Sequence, residues 1–170
     1  MRELSNTDAT FSDDRVYRYA LCRVWDCDGP PFVVIGLNPS TADERQDDPT
    51  IRRCIGFAKR EGFGAYFMLN LFGLRATYPK VMKAHREPIG VGNDAAIARI
   101  ATLPGATVVA AWGTHGAHQN RDIDVYSALQ ALGVDVHCFG TTKGGFPKHP
   151  LYLPNGAPLV RYTAGALVLA

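Results

Sequence analysis

The 170-residue chain lacks a dominant charge: 18 Lys and Arg stand against 16 Asp and Glu, a formal net charge of +2. That excludes a polybasic, histone-like mode of nucleic-acid binding, while leaving room for a local basic groove. No apolar run approaches the roughly 20 residues that span a bilayer, so no membrane partner is expected. The opening stretch MRELSNTDATFSDDR has no apolar core and carries several acids, unlike a secretion signal. The four cysteines, Cys22, Cys27, Cys54 and Cys138, follow no metal-binding spacing and point to no oxidising compartment. GxxxxGK[ST] is absent, the stretch Thr141-Thr142-Lys143-Gly144-Gly145 is no Walker loop, and no GxGxxG follows a strand. Nucleoside-triphosphate and dinucleotide enzymes are therefore disfavoured. What is present, 46% apolar and 20% charged residues, is an ordinary globular mix. The expectation is a cytoplasmic monomer forming one domain over residues 1–170, with 1–14 as a flexible arm.

The apolar pattern alternates between strand and helix. The β-prone run VYRYALCRVW (16–25) ends in the turn formers Asp26 to Pro31, and FVVIGL (32–37) follows as a buried strand. These two strands are expected to pair as a hairpin. Pro49-Thr50 marks a helix start, with Ile51, Ile55 and Ala58 at helical spacing up to a stop at Gly62. AYFMLNLF (65–72), ATVVAAW (106–112) and VDVHCF (134–139) read as further buried strands. Helical segments fall between them at 78–83, 93–103 and through Ile123, Tyr126, Leu129 and Leu132. Buried strands alternating with helices predict an α/β three-layer sandwich, its mainly parallel central sheet four-stranded, with an added N-terminal antiparallel strand.

In such sheets ligands bind beyond the carboxyl ends of the strands, so the residues just after each strand matter most. In chain order these are Gly36-Leu37-Asn38-Pro39-Ser40, Asn70-Leu71-Phe72-Gly73, Trp112-Gly113-Thr114-His115, and the loop 141–153 containing Lys148-His149-Pro150-Leu151-Tyr152. One cleft can gather Asn38, Asn70 and His149.

The order GLNPS, MLN, AAWG, KHPLYL resembles the uracil-DNA glycosylase superfamily. There, a G-x-(D/N)-P loop follows the first strand, another strand ends in Asn, a third in W-G, and an H-P-x-x-L loop comes late. The first motif is most similar to the mismatch-specific uracil/thymine glycosylase branch, and the likeness spans about residues 32–153. The chain also resembles uncharacterised bacterial and phage proteins that share LNPSTAD. The superfamily resemblance implies a DNA-repair hydrolase that flips a pyrimidine (uracil, thymine or a 5-modified uracil) from DNA. It would break the glycosidic bond with no metal and no cofactor. Asn38 stands where the fast uracil-specific branch has Asp, which implies weak activity. Ser40 replaces an aromatic that closes that branch's pocket against a 5-methyl group, and Leu151 or Tyr152 would be the wedge filling the gap in the DNA.

The residue types suit this chemistry on their own terms. Cleaving an N-glycosidic bond builds negative charge on the departing base, which neutral His149 can stabilise by donating a hydrogen bond. Asn70 offers both donor and acceptor to the imide edge of uracil or thymine. Asn38 can position the attacking water but cannot take its proton. Trp112 would wall the base site. Each has a plainer reading: Asn38-Pro39 as a turn, Asn70 bonded to loop backbone, His149 as a surface histidine, Leu151, Tyr152 and Trp112 as packing. A non-catalytic protein binding free pyrimidine nucleotides is the alternative function. Among other signals, His115 and His118 with Asp122 and Asp124 read as a solvated loop and helix cap rather than a metal site. Cys22 and Cys27 match no iron–sulfur spacing. Asp43, Glu44, Asp47 and Asp48 read as a solvated face at a helix N-terminus, or alternatively as the source of the water-activating carboxylate that Asn38 lacks. Arg53, Arg75, Lys143 and Lys148 are placed to meet phosphates or simply to solubilise the surface.

Overall fold

The computed structural model describes residues 7–165. Seven strands form one mixed sheet: β1 (Thr7–Phe11), β2 (Arg18–Val24), β3 (Pro31–Gly36), β4 (Ala65–Asn70), β5 (Thr107–Ala110), β6 (Val136–Cys138) and β7 (Val160–Arg161). Their spatial order is β1-β2-β4-β3-β5-β6-β7. The inner strands β4, β3, β5 and β6 run parallel to one another, whereas β1, β2 and β7 join antiparallel at the two sides. Side chains alternate across β3: Val33 and Ile35 enter one core, Phe32 and Val34 the other. The first core is closed by helices α2 (Pro79–Ala84), α3 (Asn93–Ala101) and α4 (Arg121–Ala131), through Met82, Ile97, Ile100, Val125 and Leu129. The second is closed by α1 (Pro49–Arg60) through Ile51, Cys54 and Ala58. Helices therefore cover both sheet faces, and β3 is apolar throughout because it is buried on both.

Several expectations need correction. The parallel core has the expected four strands, but the sheet as a whole has seven, with three antiparallel strands at its sides rather than one. The runs 16–25 and 32–37 do not pair as a hairpin, because β4 lies between β2 and β3. The Asp26–Pro31 turn instead meets the start of β4: Trp25 and Asp26 both donate to the Gly64 carbonyl, each at 3.0 Å. Gly29 and Gly64 approach so closely that a Cβ on either would fall 2.6 Å from the other's Cα. Within the expected arm, Thr7–Phe11 is a strand paired with β2, while residues 1–6 lie outside those described. In α4, Val125 and Leu129 carry the packing, whereas Ile123 is exposed, as is Leu132 just past the helix end. Among the described residues, no helix is long and apolar enough to cross a membrane.

Candidate functional site

A cleft of about 500 Å³ opens where β3, β4 and β5 end, and it is lined by Asn38, Ser40, Asn70, Trp112, His115, His149 and Tyr152. Leu151 does not line it. Hydrogen bonds between strand-end loops create this convergence. Leu71 N donates to the Gly36 carbonyl and Phe72 N to the Leu37 carbonyl, both at 2.9 Å, which splices the loop after β4 onto the loop after β3. Gly113 N donates to the Pro147 carbonyl at 3.0 Å, and Lys148 N to the Gly140 carbonyl at 3.0 Å, drawing the late loop to the end of β5.

Each polar side chain is held differently. Asn38 Nδ2 donates to the carbonyls of Ala76 (2.7 Å) and Pro39 (3.1 Å), so the turn consumes its donor and Oδ1 is left as its acceptor. Asn70 is 1% exposed, yet its Oδ1 has no partner. The plainer reading, an asparagine bonded to loop backbone, fails for that oxygen; it is Asn93 that bridges the backbone there, donating to the Asn70 and Leu71 carbonyls. Gly36 keeps Asn70 open, because a Cβ there would sit 2.6 Å from Met68 Cε and 3.0 Å from Asn70 Oδ1. Trp112 is a wall: its ring packs edge-on against Tyr162 and lies over Gly116, where a Cβ would clash with it.

His149 Nδ1 accepts from the Leu151 amide at 3.3 Å, so in the neutral ring the proton sits on Nε2. Burial holds its pKa below the ordinary histidine value, with the Asp48 carboxylate partly opposing the shift. The loop bearing His149 is clamped from α1, since Arg53 donates from Nε to the Pro150 carbonyl at 2.9 Å and from Nη2 to the Leu153 carbonyl. Arg53 is thus occupied with backbone rather than free for a phosphate. Arg53→Ala should cost about 1–3 kcal/mol of local stability and speed amide exchange at Leu151 and Leu153. Unchanged exchange there would show that the loop holds itself.

The acidic run separates into distinct jobs. Asp47 pairs with Arg23 (2.8 Å), Glu44 with Arg15 (3.0 Å), and Asp43 Oδ1 accepts from the amides of Arg45 and Gln46. Asp48 alone of the four lines the cleft, where its Oδ1 also caps α1 by accepting from Ile51 N at 2.9 Å. It is therefore the carboxylate of this run that the cleft shares with Asn38. His115 lines the cleft mouth and meets Lys83 Nζ through Nδ1 at 3.0 Å, whereas His118 packs on Phe72. Asp122 accepts from the Ile123 amide. Arg75 lies against Phe11 and donates to the Arg15 carbonyl, and neither Lys143 nor Lys148 lines the cleft.

Sequence reasoning missed Arg18. It lies in β2, is 1% exposed, and reaches the cleft floor, where Nη1 donates to the Ala42 carbonyl at 2.5 Å. The available signal was a pair of arginines, Arg18 and Arg23, in the otherwise apolar run 16–25. Burial lowers its pKa to about 10, with the Asp48 charge acting against that, so it remains cationic at neutral pH.

The fold and cleft define an α/β protein with a cleft, lined in part by polar side chains, at the carboxyl edge of its parallel strands. The chain belongs to the family described as protein of unknown function (DUF1643), which matches residues 18–151. That match contains every cleft-lining residue from Arg18 to His149 and leaves out only Tyr152. No curated protein and no solved structure matches the chain.

Proposed function

We propose that the cleft binds a pyrimidine and that the protein hydrolyses the N-glycosidic bond of a pyrimidine nucleotide flipped from DNA. The observation that carries this reading is the meeting of Asn38, Asn70 and His149 in one cleft, with His149 held as the Nε2–H tautomer. In the proposed step, water adds to C1′ as the C1′–N1 bond breaks, and the bonding pair leaves with the base. His149 Nε2–H stabilises the charge arriving on a base oxygen. Asn70 reads the imide edge, Asn38 Oδ1 orients the water, and Asp48 is the carboxylate near enough to the cleft to receive its proton. Tyr152, 84% exposed and lining the cleft, is the better placed of the two wedge candidates, Leu151 and Tyr152. Uracil, thymine-mismatch and 5-substituted-uracil oligonucleotides, incubated with the protein and then cleaved by alkali, test the proposal. Strand scission at the modified position is expected, and intact strands across the panel would overturn it.

A second reading, a binder of free pyrimidine nucleotides, is favoured by the buried cation at the cleft floor. Binding to DNA should rest on phosphate contacts and weaken steeply with salt. No binding to a short duplex even at low ionic strength would favour this second reading.

Ser40 tests base selection. It lines the cleft, as Asn38 does, and a serine is far smaller than a tyrosine ring at the same wall. Ser40→Tyr should exclude thymine and 5-substituted uracils while sparing uracil, since an overpacked wall costs about 1–3 kcal/mol. Rates on uracil and on one 5-substituted base decide it: equal losses on both would show that Ser40 supports the loop and selects nothing.

A further inference from the structure

The two buried arginines of β2 are treated very differently. Arg23 is 7% exposed and well partnered: it pairs with Asp47 and donates to the carbonyls of Cys22 (2.8 Å) and Asp43 (2.7 Å). Arg18 is more deeply buried, yet its side chain has the Ala42 carbonyl as acceptor and its Nε has none. Among the described residues, Arg18 forms no ion pair. Asp48 is near enough to favour the charged form but spends Oδ1 on the α1 cap. A buried guanidinium is costly unless its charge and its donors are met, and this one opens onto a cleft. Asn70 Oδ1, also buried and unpartnered, lines the same floor, as do the hydroxyl-bearing residues Ser40 and Thr50. An unsatisfied buried donor on Arg18 and an unsatisfied buried acceptor on Asn70 in one cavity mark a place where the ligand supplies the missing partners.

We propose that Arg18 forms an oxyanion subsite at the floor of the cleft, binding a phosphate or carboxylate group carried by the ligand. The subsite deepens the pyrimidine reading above and rests on it for the remainder of the ligand. Arg18 suits the task because its planar fork fits either oxyanion in two-point contact, and its anchor on Ala42 fixes the fork in advance. Asn70 then meets a donor on the ligand, so the floor as a whole selects a molecule with an anionic oxygen and an adjacent N–H or O–H.

Calorimetric titration of the intact chain with matched pairs tests this. The phosphate arm compares 2′-deoxyuridine with its 5′-monophosphate; the carboxylate arm compares uracil with uracil 6-carboxylate. In at least one arm the anion should bind about 10- to 100-fold tighter than its neutral parent, and the arm that does so identifies the oxyanion. Arg18→Met keeps the side-chain length and removes an incompletely satisfied buried charge, so it should fold, and it should abolish the preference. Equal affinity within both pairs, or a preference that survives Arg18→Met, would overturn the subsite. If Arg18→Met does not fold, Arg18→Lys and the wild-type pairs still decide, because Lys keeps the charge without the fork and should lose most of the preference. Thermal denaturation with inorganic phosphate or acetate separates the two proposals. Stabilisation of wild type by one of these anions, absent in the variant and with no binding of either neutral parent, would uphold the subsite while overturning pyrimidine recognition. Binding of the neutral parents with no gain in either anionic arm would do the reverse.

Discussion

His149→Ala should lower turnover on a uracil-containing oligonucleotide by about 100- to 1,000-fold, leaving the fold intact. The size of the effect follows from what the ring does. A base departing with the bonding pair needs a donor aimed at its developing negative oxygen, and a preorganised donor in a partly buried site loses little to solvent. His149 meets that description because the Leu151 amide occupies Nδ1 and so assigns the proton to Nε2. The fold should tolerate the change, because the backbone of this loop is held independently by Arg53 on the Pro150 and Leu153 carbonyls. The same geometry sets a pH profile. Burial disfavours the imidazolium, so the neutral donor persists below the ordinary histidine pKa of 6.5. Activity limited by His149 should therefore hold as pH falls through 6.5 and decline only at lower pH. An acid limb at or above 6.5 would place the controlling group elsewhere. A rate indifferent to His149→Ala would transfer the donor role to His115, the other cleft histidine.

Asn70→Ala should weaken binding of the pyrimidine and its discrimination from cytosine by about 100-fold or more, as expected where a site is built to hydrogen-bond its ligand. Its effect on stability separates the functional role from a structural one. An asparagine whose oxygen held loop backbone would, on truncation, leave a buried group unsatisfied, at about 1–3 kcal/mol. Asn70 Oδ1 has no partner to abandon, and the nearby backbone carbonyls are satisfied by Asn93. Denaturant midpoints for Asn70→Ala should accordingly stay near wild type, while Asn93→Ala should be clearly destabilised. The opposite ranking would make Asn70 a structural residue.

Much of the fold was legible in the chain because its signals were local. Pro49 after Asp48 opens α1, Gly62 at φ +84° and Gly133 at φ +73° follow the ends of α1 and α4, and the parallel strands are apolar runs buried on both faces. Strand order was not local. Consecutive strands usually neighbour each other, but β4 separates β2 from β3, and nothing in the Asp26–Pro31 turn announces the insertion of a strand that begins only at Ala65. The polar arm was misjudged for a related reason: Thr7–Phe11 is half-exposed edge strand, and its pairing with β2 supplies the order that its composition does not. At the site, strand-end reasoning located Asn38, Asn70, Trp112 and His149, since the ends of parallel strands must share one edge. It could not find Arg18, which reaches the cleft from the antiparallel β2, nor separate Asp48 from its acidic neighbours before their partners were known.

The central claim is hydrolysis of a glycosidic bond in this cleft, and the most direct measurement follows both products in oxygen-18-labelled water. A uracil-containing oligonucleotide is incubated with wild type and with His149→Ala, and the free base and the abasic strand are weighed by mass spectrometry. Unlabelled uracil should be released in step with one labelled oxygen at C1′ of the strand, both greatly slowed in the variant. Uracil that stays on the strand would contradict it, whereas release at the same rate with and without His149 would move only the donor role, to His115.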